Sequence, residues 1–213
     1  TPRLDGAVTK AYNGDSVASV TSANIGASGI FSGDVVTWLV SGATFDTKNV
    51  GNNKTVSASV SVGSVVDSNG KPVYGYSLGS SAASGAVGSI TPASISSVSG
   101  ITAGDKTYDG GTAATLSTTS PVFNGIIAGD SLTVASATGA FADKNAGAGK
   151  TVQISGITLS GTDASNYTLA NDTATATNIL TTASKRSLFA WRVGLGTHGV
   201  STNIHCWVKN QTP

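Results

Sequence analysis

The sequence predicts an all-β protein built from two tandem copies of one small domain, and three observations carry that expectation. The first is an absence: all 11 acidic residues are Asp, and neither Glu nor Met occurs anywhere in the 213 residues. The straight-chain residues that favour helices are therefore missing or scarce, while Thr and Val, which suit a pleated half-buried surface, abound. The second is a period of two. Val56, Ala58, Val60 and Val62 alternate with Thr55, Ser57, Ser59 and Ser61, and Val152 and Ile154 alternate with Thr151, Gln153 and Ser155. Such alternation is what a sheet with one buried face requires. The third is an internal repeat.

The repeat is exact in spacing over a long stretch. Lys10, Tyr12 and Gly14 return 96 positions later as Lys106, Tyr108 and Gly110. The same shift carries Gly33-Asp34 onto Gly129-Asp130, Phe45 onto Phe141, Lys48-Asn49 onto Lys144-Asn145, and Lys54-Thr55-Val56 onto Lys150-Thr151-Val152. Further on the copies drift, and Tyr76-Ser77-Leu78 meets Tyr167-Thr168-Leu169; the extra residues of the first copy fall around the turn-forming run Asp67–Pro72. Thr1-Pro2 and Thr91-Pro92 read as the same stiff connector. The expected domains are 1–91 and 92–183, followed by a tail, 184–213.

Within each copy the turns are marked by Asn13-Gly14, Asp109-Gly110, Gly33-Asp34 and Gly129-Asp130. Short strands between frequent turns predict small β-sandwich-like domains, with a β-grasp-like sheet carrying one short helix as the alternative. Asp163, Tyr167 and Leu169 have the spacing of the tyrosine corner of immunoglobulin-type sandwiches, in which the ring is buried and the hydroxyl meets backbone. The first copy keeps Tyr76 and Leu78 but has Pro72 where the Asp would stand. Tyr12, Tyr108, Phe45 and Phe141 are expected as the large groups of cores otherwise filled by Val, Ile and Ala.

Lys106-Thr107-Tyr108-Asp109-Gly110, Ala128-Gly129-Asp130, Phe141-Ala-Asp-Lys144-Asn145, Gly147 and Asn166-Tyr167-Thr-Leu169 together resemble the YDG repeat. That repeat occurs in tandem in large bacterial exoproteins similar to filamentous haemagglutinin-type adhesins. The resemblance covers about 1–183 and is closer in the second copy, since the first reads Tyr12-Asn13-Gly14 and Gly75-Tyr76-Ser-Leu78. It implies a β-rich structural segment, a stalk or spacer, of a secreted or outer-surface bacterial protein. The partners it implies are neighbouring repeats of a larger parent, and it implies no catalytic residue and no cofactor. A chain without Met is in keeping with a piece of such a parent. The competing function is a module binding host glycan or surface protein through loops at one end, with Asp67–Pro72 the place to look.

Other chemistries fit less well. Net charge is +1 and charged residues are 11%, which gives no basic footprint for nucleic acid, and no run is long and apolar enough to span a bilayer. His198, His205 and Cys206 lack the paired spacing of a zinc site. Asp34, Asp109, Asp130, Asp143 and Asp163 are scattered at turns rather than clustered as calcium ligands, and turn capping is the expected role. Gly147-Ala-Gly149-Lys150-Thr151 fails the spacing of a phosphate loop. Both His lie outside the repeats, so no Ser-His-Asp set forms. An isopeptide bond from Lys144 or Lys150 to Asn145 or Asn166 is a minor alternative. Asn53, Asn166, Asn171 and Asn210 open glycosylation sequons.

The tail breaks the pattern. Residues 184–213 hold both His, the single Cys, Trp191 and Trp207, with Lys185, Arg186, Arg192 and Lys209 and no acidic residue. Three readings stay open: a distinct element packing its Trp side chains on the second copy, out-of-frame or appended sequence, and a binding or membrane-proximal segment.

Overall fold

The computed structural model describes residues 1–181, with the side chains of 179–181 excepted. The expectations placed on the tail, including His198, His205 and Cys206, fall outside the described residues. The fold is all-β, with sheets distributed over two halves and only two single-turn 3-10 segments, Ser22–Asn24 and Ala164–Asn166, among the described residues. No α-helix occurs among them either, so the helix of the β-grasp alternative is not found there.

The first half comprises β1 (Pro2–Leu4), β2 (Val8–Ala11), β3 (Ile25–Ala27), β4 (Val35–Phe45), β5 (Gly51–Val66) and β6 (Ala82–Thr91). The second comprises β7 (Ala93–Ile95), β8 (Ser97–Ser99), β9 (Thr102–Ala103), β10 (Lys106–Thr107), β11 (Ala113–Ala114), β12 (Leu116–Ser117), β13 (Val122–Asn124), β14 (Thr133–Phe141), β15 (Gly147–Ser160), β16 (Tyr167–Leu169) and β17 (Ala174–Thr181).

Each half is organised around one mixed sheet. The first runs β2-β6-β5-β4 and the second β10-β17-β15-β14-β11. In both, a long antiparallel hairpin (β4–β5 or β14–β15) is extended by the last strand of the half, which pairs in parallel with an early one. A short ribbon accompanies each sheet, β1 with β3 and β8 with β13. The registers agree: Pro2 stands opposite Ala27 as Val98 stands opposite Phe123. Pro2 therefore corresponds to Val98, and the two Thr-Pro pairs do not occupy equal places. Thr91-Pro92 instead leads into β7, a strand that pairs in parallel with β16.

The period of two does what the sequence requires. Val56, Ala58 and Val60 point inward on β5, as do Val152 and Ile154 on β15, while Ser57, Ser59 and Gln153 between them face out. Phe45 and Phe141 close the ends of the hairpins, each 3% exposed. Fully burying a side chain of this size contributes roughly 1.5–3 kcal/mol.

The lysines shared by the copies fasten their own loops. Lys10 Nζ reaches the carbonyls of Asp15 and Val17, and Lys106 Nζ reaches those of Gly111 and Ala113 at the same places in the second turn. Lys54 bonds Asp46 and Thr47 across the tip of its hairpin, and Lys150 bonds Asp143 and the Asn145 carbonyl across the other. The spacing between copies is thus preserved by side chains that tie turns as well as by those that fill cores.

Candidate functional site

The residues most unlike an ordinary core gather where the first copy meets the second. They rest on a turn of the second copy that has a counterpart within the first. Ile127-Ala-Gly129-Asp130 closes with the Asp130 N–H donating to the Ile127 carbonyl at 3.1 Å, and Phe31-Ser-Gly33-Asp34 closes identically at 3.1 Å. The third residue of such a turn needs positive φ, which Gly33 (+96°) and Gly129 (+94°) supply. The turn aims the Asp carboxylate at a tyrosine from the end of the same copy. Tyr167 Oη accepts the Ile127 N–H at 3.0 Å and donates to Asp130 at 2.7 Å. Tyr76 Oη accepts the Phe31 N–H at 2.9 Å and donates to Asp34 at 2.5 Å.

The buried ring expected of a tyrosine corner is found at Tyr167, but its hydroxyl, like that of Tyr76, meets the Gly-Asp turn rather than a backbone group a few residues upstream, so the immunoglobulin-type corner does not form. The missing Asp at Pro72 does not matter to the latch, because Asp163 does something else. Its carboxylate accepts the Ser131 N–H at 2.9 Å and so ties the start of β14 to the turn before Tyr167.

In the second copy the latch is extended by the first. Tyr12 Oη donates to Asp130 Oδ2 at 2.8 Å, and Lys48 Nζ approaches Asp130 Oδ1 at 3.3 Å and Asp163 Oδ1 at 3.9 Å. The rings of Tyr12 and Tyr167 meet edge to face, their centroids 5.5 Å apart, a favourable arrangement of their quadrupoles. Lys48 Nζ also lies 5.9 Å from the Tyr12 ring centroid. Beside them Asn166, 2% exposed, accepts the Val50 N–H at 3.0 Å and donates to Asn49 Oδ1 at 3.3 Å. The 3-10 turn Ala164–Asn166 places this side chain immediately before the latch tyrosine. Gly14 sits against Ile127, since a Cβ there would stand 3.0 Å from Ile127 Cγ2.

The electrostatics follow from the partners. Burial pushes the Asp130 carboxyl up, but hydrogen bonds from Tyr167, Tyr12 and Lys48 outweigh it and hold the group below the ordinary carboxylate value. Burial, and then the bond to Asp130, pushes Tyr167 up to about 12. Burial raises Tyr12 in the same direction, again followed by the Asp130 bond. The site is a carboxylate satisfied by three donors from two copies, an arrangement suited to holding chains together.

Several expectations change here. Tyr12 is a core residue as expected and also meets Tyr167 and Asp130 of the neighbouring copy, whereas its counterpart Tyr108 is 43% exposed. Asp130 and Asp34 are latches and not turn caps, whereas Asp109 and Asp143 do cap their turns, accepting the N–H of Gly111 and Asn145. Of the isopeptide candidates, Lys150 bonds Asp143 and the backbone carbonyl of Asn145, while the Asn166 side chain bonds Asn49 and Val50. Among the described residues no three metal-ligating side chains gather. Asn166 is buried and Asn53 and Asn171 are exposed, so only the latter two sequons among the described residues lie at the surface.

Two halves built around corresponding mixed sheets, joined by side chains of one onto a carboxylate of the other, define a tandem β-repeat. The chain belongs to the YDG domain family, whose model matches residues 1–84 and again 91–176. No curated protein matches the chain, and no solved structure does.

Proposed function

We propose that these two copies are a non-enzymatic structural segment, a stalk or spacer, of a secreted or cell-surface bacterial protein of the adhesin type. The observation that carries this reading is the joint itself. Tyr12, Lys48 and Asn49 of one copy lock onto Asp130 and Asn166 of the next, which fixes the angle between copies where a flexible linker would leave it free. Each copy adds on the order of 30–40 Å, judging from the size of a compact domain of this length. The resemblance to repeats of filamentous haemagglutinin-like exoproteins supports the surface location. The partners on this reading are neighbouring repeats, with no nucleic acid, no cofactor and no membrane insertion. No helix among the described residues is long and apolar enough to cross a membrane.

One observation favours a second reading, a binding module. The tip after β5, where Asp67 caps the N–H groups of Asn69 and Lys71, carries Tyr74 with 89% of its surface exposed. Exposed aromatic side chains on loops are common in recognition surfaces. Binding of the purified chain to a glycan array and to intact host cells separates the two. The spacer reading expects no saturable binding by folded protein; saturable binding lost on Tyr74→Ala would replace it with the module.

A further inference from the structure

The second half has a strand pairing that the first lacks, and by the register that sets Pro2 on Val98 the counterpart of β7 would stand before Thr1. In the second copy β7 lies in parallel register along β16, Tyr167 opposite Ala93 and Leu169 opposite Ile95. The Ala170 N–H donates to the Ile95 carbonyl at 2.9 Å, and Ile95 is fully buried. Gly125 is what lets the strand in: a Cβ there would stand 2.7 Å from the Ser94 carbonyl oxygen. In the first copy the equivalent residues Tyr76-Ser77-Leu78 form no strand. The equivalent Gly29, also at positive φ, faces nothing within 4 Å. A cavity of about 50 Å³ opens there, lined among others by Gly29, Ile30, Val36, Trp38, Tyr76 and Leu78. At its rim Phe31 is 77% exposed, whereas its counterpart Ile127 is partly buried and has Gly14 of the first copy beside it.

We infer that this groove in the first copy is a strand-binding site, and that its occupant is the exit strand of another YDG copy, an extended Thr-Pro-Ala-Ser-Ile segment like residues 91–95. The inference stands on the joint already built in this chain, where the same groove on the second copy holds that segment, and it is independent of where the protein works. Main-chain bonds to the open edge at Tyr76–Gly79 would hold the strand, the aliphatic third residue after the proline would enter the cavity, and small residues would pass Gly29. Asp34, already bonded to Tyr76, corresponds to the carboxylate that receives Tyr12 across the joint.

The test is a titration of the isotope-labelled full chain with the capped peptide Thr-Pro-Ala-Ser-Ile, followed by amide shifts. Saturable shifts confined to Gly29, Phe31 and Tyr76–Gly79 are expected. Replacing the peptide's Ile by Asp should abolish them. Gly79→Pro in the protein should weaken binding at least tenfold, because it removes the N–H equivalent to that of Ala170; a Cβ at Gly79 meets only Thr1 Oγ1, at 4.0 Å, so the variant is not crowded. No shifts at millimolar peptide, or equal shifts with the Asp peptide, would overturn the inference. Dimerisation of the chain that excludes the peptide would also overturn it, giving the groove to a second whole chain.

Discussion

The hydroxyl of Tyr12 lies 2.8 Å from a carboxylate oxygen of Asp130, 118 positions further along the chain. Its counterpart Tyr108, at the same place in the second copy, is 43% exposed. One signature residue thus has two environments in one molecule, and the difference is measurable. Tyr12→Phe removes a hydrogen bond to a buried charged acceptor and should lower stability by about 1.5–3 kcal/mol. Tyr108→Phe should stay within about 0.5 kcal/mol of the parent. Urea midpoints of the two variants, measured side by side, check this; equal losses would refute the assignment of Tyr12 to the joint.

Asp130→Asn should cost more than Tyr12→Phe. The carboxylate accepts from Tyr12, Tyr167 and Lys48, and its side chain is 3% exposed. An amide keeps the shape but loses the charge that Lys48 pairs with and turns one acceptor into a donor facing donors. The expected loss is roughly 2–5 kcal/mol. A separate early transition for the second half, followed by far-ultraviolet circular dichroism, would locate the loss. Any binding activity of the folded protein should be unchanged by this substitution.

The same group sets a dependence on pH. The Asp130 carboxyl is depressed below 3.8 in the folded protein. Its contribution is therefore fully present above about pH 4 and is lost as pH falls through the lowered native value. Tyr167 is shifted the other way, from 10.0 up to about 12. Its contribution is intact below about pH 10 and is lost as pH climbs through about 12. Denaturant midpoints across pH should fall at both ends, and Asp130→Asn should flatten the acid limb. An unaltered acid limb in that variant would mean that other carboxylates govern it.

Phe141→Ala should unfold the second half. The ring is 3% exposed at the end of β14, and truncation of a buried Phe costs about 3–5 kcal/mol. Phe45→Ala makes the matching test in the first half, where the ring is equally buried. Calorimetry would show a single lowered transition if the joint couples the halves and two resolved transitions if it does not.

The parts legible in the sequence were those that act within one copy. Val56, Val60, Val152 and Ile154 announced their burial through a period of two, and the shared spacing of Phe45 and Phe141 announced the repeat. The joint was not legible, for a physical reason. A residue retained in both copies leaves the same imprint whether or not it also meets the next copy, so the bond from Tyr12 to Asp130 left no mark of its own. Asp130 read as a turn cap because Gly-Asp is turn chemistry, and the turn is real; the tyrosine it receives comes from a distant part of the chain. Asn166 gave the faintest signal, an Asn before the latch tyrosine that the first copy replaces with Gly75. The connector misled because Thr-Pro occurs twice by coincidence of composition, while β-sheet register distinguishes Pro2 from Pro92 at once.

The parallel pairing of β2 with β6 has a mechanical meaning. These strands stand near the two ends of the first half and run side by side through Val8↔Gly88 to Ala11↔Thr91, with the Tyr12 N–H continuing to the Thr91 carbonyl. Pulling the chain from both ends would draw neighbouring parallel strands in opposite directions along their shared axis. All the bonds of the ladder then bear the load together, whereas an antiparallel terminal pair would open one bond at a time. The first half is wired to resist tension by shear.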